Sequence, residues 1–269
     1  MNRFALSELN KSTNVQFIQR TLVRLLGLLA PGITERRALR RLLTPTRRAP
    51  ASLAPVPGLL TFHRTIGMGS YELAAWEWGH GPAMLLLHDW NGQANDLFGW
   101  VPALAGAGYR VLAADLPAHG HSSGRQASVL DWRRAVLALA RYAGPVHAVI
   151  GQGLGASAAV LAATQGLNAR RLVLLAPAVD PVTALRAQAL AEGLSPARVE
   201  GVMRRFERHL GVGLERLDVR RAERDLDGPV LRLPNPPTDA AIARVVGFLG
   251  QRESAPRAES AQTPYRTAV

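Results

Sequence analysis

One short segment carries residue types whose spacing points to chemistry. Residues 146–156 read Val-His-Ala-Val-Ile-Gly-Gln-Gly-Leu-Gly-Ala: a run suited to a buried strand, a tight glycine-lined turn, and the start of a helix. This is the form of G-x-S-x-G, a strand-to-helix elbow whose small flanking residues let strand and helix approach while the middle residue projects its side chain over the sheet edge. Here the middle residue is Gly153, which has nothing to project. The frame of a nucleophilic site is present and its reacting atom is absent. The same stretch, Gly151-Gln152-Gly153-Leu154-Gly155-Ala156, also fits G-x-G-x-x-A, the fingerprint that seats a dinucleotide pyrophosphate on a helix N-terminus. That fingerprint asks for an acidic residue near the end of the next strand; Asp180 lies past the strand end and past Pro177. It also belongs on the first strand of a two-half sheet, whereas this turn follows the fifth.

The elements that must position this turn are legible from apolar periodicity. Residues 59–66 and 71–78 read as a hairpin around Gly67-Met68-Gly69. Residues 83–88, 109–115, 146–150, 171–176 and 229–233 read as short buried strands. Helices fit 94–107, 130–142, 154–165 and 239–249. Alternation of short apolar runs with helices predicts an α/β fold: a mostly parallel sheet of about seven strands, covered on both faces. Residues 146–150 are apolar without alternation, so this strand belongs in the middle of the sheet. The charged helical stretch 181–226 reads as a cap over the carboxyl edge. Residues 1–57 read as a basic leader of two helices, 14–29 and 34–43, separated by Pro31-Gly32 and ended by Pro45, Pro50, Pro55 and Pro57. The main domain then spans 58–250, and the polar tail 251–269 is expected to be disordered.

The chain has 269 residues, enough for a sizeable core, and 48% of them are apolar. It holds no cysteine, which excludes disulfides and thiolate chemistry. The net charge is +12, and residues 1–64 carry +9 of it. Lys11 is the sole lysine and the other 31 basic residues are arginine, which suits a contact between the leader and an anionic surface, lipid or nucleic acid. The longest apolar run, 22–30, is short and contains Arg24, so no transmembrane segment is expected and the location is read as cytoplasmic.

In this order the motifs resemble the α/β-hydrolase superfamily, over about residues 59–249. Leu85-Leu86-Leu87-His88-Asp89-Trp90-Asn91-Gly92 looks like the strand and His-Gly loop that supply one oxyanion-hole amide. Asp115-Leu116-Pro117-Ala118-His119-Gly120-His121-Ser122 looks like the D-x-P-G-H-G-x-S turn after the fourth strand, Gly151-Gln152-Gly153-Leu154-Gly155 like the elbow, and Leu172-Val173-Leu174-Leu175-Ala176-Pro177 like the sixth strand. The nearest pattern is a bacterial group of small members with a basic N-terminal helix pair and a short helical cap. The resemblance places the nucleophile at Gly153 and the oxyanion-hole amides at Leu154 and at Trp90 or Asp89. Ser157 falls inside the helix as a structural residue. Asp89 stands where the superfamily prefers glycine: its carboxylate would repel a developing oxyanion, or it serves as a turn residue in a left-handed conformation. The triad histidine should follow the last strand, yet all seven histidines precede position 210. Asp180 follows the sixth strand, where some members place the acid; Asp225 and Asp227 precede the next strand. About five residues separate the last strand from the last helix, too few for a further crossover, which needs roughly 10–12. The acid loop, one strand and the histidine loop therefore look deleted, which leaves a sheet edge that a second chain could pair with.

Three functions remain open. The first is a non-catalytic relative, a binding or scaffold domain or a decayed member, with a site built from His88, Asp89, Trp90, His119, His121, Gln152, Gly153 and Leu154. Its ligand would be small and apolar or ester-like, with no cofactor and no metal. The second is an unconventional ester hydrolase in which His119, His121 or Asp89 activates water. The third is a dinucleotide binder.

Overall fold

The uninterrupted apolar runs become the inner strands of one sheet. The computed structural model describes residues 30–49, 56, 58–177, 180–234 and 238–250. Seven strands are present there: β1 (Phe62–Met68), β2 (Tyr71–Trp78), β3 (Ala83–Leu87), β4 (Arg110–Ala114), β5 (Val146–Gln152), β6 (Ala169–Leu175) and β7 (Val230–Leu233). Their order is β1-β2-β4-β3-β5-β6-β7. β1 pairs antiparallel with β2 and β2 with β4, and every other pair is parallel. β5 lies between β3 and β6, as its unbroken apolar character predicts.

Side chains alternate between two cores, because successive strand residues point to opposite faces. Leu85 and Leu87 join Trp132, Val136 and Leu139 beneath α3 (Val129–Ala143) and α4 (Leu154–Ala163). Met84 and Leu86 join Trp100, Leu104 and Val245 beneath α2 (Val101–Gly106) and α8 (Asp239–Leu249). The expected helix over 94–107 is split: Ala94–Trp100 winds as a tight 3₁₀ helix and the α-helix begins at Val101, with Pro102 in its first turn. α3 starts at a Ser128–Asp131 capping box.

Three helices, α5 (Pro181–Ala191), α6 (Pro196–Leu210) and α7 (Val219–Arg224), form the expected cap. A fourth helix joins them from the leader. α1 (Pro31–Leu42) begins three residues earlier than its apolar spacing predicts. Pro31 sits in the first turn, where its missing N–H breaks no helical bond. α1 packs on α5 and α6 through Ala38 and Leu42 against Ala189, Val202 and Met203. Glu35 is buried there between Arg198 Nη1 at 3.2 Å and Arg205 Nε at 3.0 Å. The opposite face exposes Arg36, Arg37, Arg40 and Arg41. The leader residues after α1 then strap the loops of the sheet edge. The Thr46 N–H donates to Asn91 Oδ1 at 2.7 Å, Arg47 Nε donates to the Gly120 carbonyl at 3.0 Å, and Arg48 pairs with Asp96 at 2.5 Å. The expected first leader helix, 14–29, and the tail, 251–269, lie outside the described residues. Among the described residues, no helix is long and apolar enough to cross a membrane.

Because Leu42 is 2% exposed, α1 is tied into the cap. Leu42→Ala is expected to lower stability by about 2–5 kcal/mol, and Arg40→Ala on the outer face to change it by less than about 0.5 kcal/mol. Urea unfolding compares the two; equal small shifts would mean that α1 merely rests on the surface.

Candidate functional site

The carboxyl ends of β3 and β5 bring the two loops of interest together. β5 runs into the turn at Gly153, which adopts φ 53° and ψ −117° before α4 begins at Leu154. This positive φ is the elbow conformation, open to glycine and strained for a residue with a side chain. Gly155 sits against the Leu87 and His88 carbonyls so closely that a Cβ would overlap them, which brings α4 onto β3. Elbow and β3 loop are thereby held within hydrogen-bonding reach.

Asp89 occupies the gap between them. The Trp90 N–H and the Leu154 N–H both donate to its Oδ1, each at 2.7 Å. These are the two amides that the motif order assigns to an oxyanion hole, and the structure brings them onto a single oxygen at the spacing such a hole requires. The oxygen they hold belongs to the protein itself. A Cβ built on Gly153 would fall inside the Asp89 carboxyl group. Asp89 thus fills both the oxyanion position and the space a nucleophilic side chain would take. The expected turn role does not describe this arrangement. The Asp89 Oδ1 accepts from two N–H groups, one of them at the N-terminus of α4. Asp89 is not the left-handed residue of the loop: that is Asn91, at φ 60°.

The neighbouring histidines are locked. The Leu116 N–H donates to His88 Nε2 at 2.9 Å, so the His88 proton sits on Nδ1, which donates to the Asp89 carbonyl at 2.7 Å. The Asn91 N–H donates to His119 Nε2 at 3.0 Å, and His119 Nδ1 donates to the Pro117 carbonyl at 2.9 Å. Each ring uses both nitrogens in the neutral form. Burial, with His119 alongside, pushes His88 down to about 3. Burial likewise pushes His119 down to about 4, with Arg47 adding to the shift. Trp90 and Trp132 pack edge-on against His119 at 4.8 and 5.0 Å. His121 lies apart, its Nδ1 3.3 Å from Asp115 Oδ2 and its ring 5.5 Å from Trp76. Asp115 holds the turn by accepting from the Ala94 N–H and the His121 N–H, both at 2.7 Å. Ala118 in that turn takes φ 69°, a left-handed conformation that costs an alanine roughly 1–2 kcal/mol.

A cavity of about 170 Å³ opens over Asp89, Trp90 and Leu154. Its walls are Leu42 and Leu43 from the leader, Ala127, Ser128 and Val129 at the start of α3, and Pro181, Leu185, Gln188 and Phe206 from the cap. Of the expected site residues, Asp89, Trp90 and Leu154 line it; Gly153 lies behind the Asp89 carboxyl group. His88, His119, His121 and Gln152 are not among its walls. Asp180 caps α5, its Oδ2 accepting from the Thr183 N–H at 2.9 Å and the Thr183 hydroxyl at 3.1 Å. Ser157 is buried in α4. The leader's share of the cavity was not foreseen. Its one sequence signal is the Leu42-Leu43 pair at the end of an otherwise arginine-rich helix.

Comparison with known proteins agrees with this frame. A family model described as the alpha/beta hydrolase family matches residues 80–268. No curated protein matches the chain. Among solved structures, it is similar to epoxide hydrolase A from Mycobacterium thermoresistibile, with 24% identity, 48% of this chain and 45% of that one covered, and a TM-score of 0.41. It is similar also to an epoxide hydrolase from Vigna radiata, with 23% identity, 50% and 45% covered, and a TM-score of 0.42. The chain thus spans less than half the length of either structure.

Two outcomes follow from this geometry. Gly153→Ala should cost more than the roughly 1–3 kcal/mol of backbone strain, because the new methyl also displaces Asp89. In an Asp89→Gly background only the strain should remain. A double-mutant cycle in urea reads the coupling, and a value under about 0.5 kcal/mol would show the contact to be unimportant. The histidines predict the acid limb. Their folded-state values lie below the ordinary 6.5, so the unfolded chain takes up protons that the folded chain refuses as pH falls below 6.5. The stability they contribute is complete above pH 6.5 and is lost on acidification, with a limiting slope of about 1.4 kcal/mol per pH unit per ring. Urea midpoints should fall steadily from pH 6.5 to about pH 4.5; a flat profile would show that the rings are not held neutral.

Proposed function

The chain belongs to the alpha/beta hydrolase family, and we propose that within it this protein is a non-catalytic binder of a small, largely apolar ligand. The observation that carries this reading is the Asp89 carboxylate on the Trp90 and Leu154 amides. Acyl transfer needs those donors free at the point where negative charge develops, and here a fixed negative charge already holds them. A serine hydroxyl, the usual nucleophile of the elbow, is replaced by Gly153, with Asp89 in its space. His88 and His119 have no nitrogen left to accept a proton. What the fold retains is a cavity with apolar walls, large enough for a benzene-sized guest.

The alternatives lose support at the same place. An unconventional hydrolase would have to activate water with Asp89, whose Oδ1 is already taken by two N–H groups. His121 does not line the cavity. A dinucleotide would set its pyrophosphate on the N-terminus of α4, where Asp89 already accepts from the Leu154 N–H. A second reading concerns the surface. Arg36, Arg37, Arg40 and Arg41 point outward from α1 and are the described part of the leader's contact with an anionic surface, which salt-sensitive binding to anionic vesicles would report.

The reading is tested by activity and labelling together. Aryl esters should not be hydrolysed above a matched buffer blank, and a serine-directed fluorophosphonate should leave the protein unmodified. Gly153→Ser should not create turnover, since the new side chain meets Asp89 and finds no histidine positioned as a base. Stoichiometric labelling of the parent chain, or ester turnover lost in Asp89→Asn, would overturn the proposal in favour of a working enzyme.

A further inference from the structure

Among the described residues that line the cavity, Asp89 alone can be charged. Its Oδ1 accepts from both amides, and its Oδ2 accepts no hydrogen bond from the described residues. One oxygen is thereby left to accept from a guest, at the floor of a space walled by Leu42, Leu43, Val129, Leu185 and Phe206. An anionic oxygen beside apolar walls favours a guest that donates a hydrogen bond to it.

Resting on the binding reading above, we propose that the ligand is a small organic cation: an ammonium on a benzyl-sized or branched alkyl body. The ammonium donates to Asp89 Oδ2 in a charge-assisted bond, about twice as strong as its neutral counterpart. The body fills the apolar space between the leader and the cap, which at about 170 Å³ accommodates one aromatic ring. Trp90 and Phe206, both lining the cavity, add aromatic rings, whose π-systems attract a cation more than a neutral guest. A carboxylate of the same shape meets the Asp89 charge directly and is rejected. The site thereby discriminates between guests by charge. Among the described residues no arginine lines the cavity, so none of them reverses this preference.

The experiment is calorimetric titration of the full chain at neutral pH with benzylammonium, benzyl alcohol and benzoate, matched in shape and differing in charge. Benzylammonium is expected to bind at least tenfold more tightly than benzyl alcohol, and benzoate not at all. Asp89→Asn keeps an oxygen for the two amides and removes the charge; it should bring benzylammonium down to the level of the alcohol. Leu185→Trp fills the cavity and should abolish binding of both. Equal affinity for ammonium and alcohol, or an undiminished preference in Asp89→Asn, overturns the cation proposal and leaves the binding reading standing. No binding of any of the three overturns both. The three-ligand series on the unaltered chain decides the matter without the variants.

Discussion

One carboxylate oxygen ties the site together. Asp89 Oδ1 receives an N–H from its own loop after β3 and another from the first turn of α4, so two crossings of the sheet edge meet at one atom. The arrangement needs a glycine at 153, because any side chain there would take the space of the carboxyl group. It also needs α4 close to β3, which Gly155 allows. The glycine at 153 and the acid at position 89 are therefore not independent features. They are complementary: one residue gave up the space that the other fills.

The rest of the edge is built around that contact. His88 precedes Asp89 and is pinned at both ring nitrogens, to the Leu116 N–H and the Asp89 carbonyl. His119 pins the Asn91 N–H two residues further on. The leader then fastens the same loops from outside, through Thr46 to Asn91 and Arg47 to the Gly120 and Ser122 carbonyls. Histidines that would act as movable bases in a reactive site here serve as fixed hydrogen-bond partners. Their cost is sensitivity to acid, since a ring buried in the neutral form opposes protonation.

The cap and leader turn this edge into a container. α1 supplies Leu42 and Leu43, α5 supplies Leu185, and α6 supplies Phe206, so three elements distant in sequence share one cavity. The Glu35 pairing with Arg198 and Arg205 holds leader to cap. A strongly arginine-rich helix is thus amphipathic, with its charge outward and its apolar pair turned into the site.

The sequence by itself determined the frame. Short apolar runs alternating with helices specify a parallel sheet, because strands buried on both faces cannot alternate in polarity. The runs at 83–88 and 146–150, the glycines of the elbow and the D-x-P turn placed the loops to within a residue or two. Three boundaries differed for local reasons: the leader helix began at Pro31 and not at Thr34, 94–107 divided at Trp100 into 3₁₀ and α segments, and β1 ran on through Gly67 and Met68, which pair with Glu72 and Tyr71 and leave the turn to Gly69 and Ser70. What only the tertiary structure decided was the meaning of Asp89. In sequence it is a carboxylate beside a loop amide, 64 residues from Gly153, and electrostatics alone reads it as repulsion. In space two N–H groups converge on it, and convergence of donors from separate strands is a property of the folded sheet that no local pattern encodes. The leader's place in the cavity was hidden for the same reason: periodicity reports which face of a helix is apolar, and packing alone reports what that face covers.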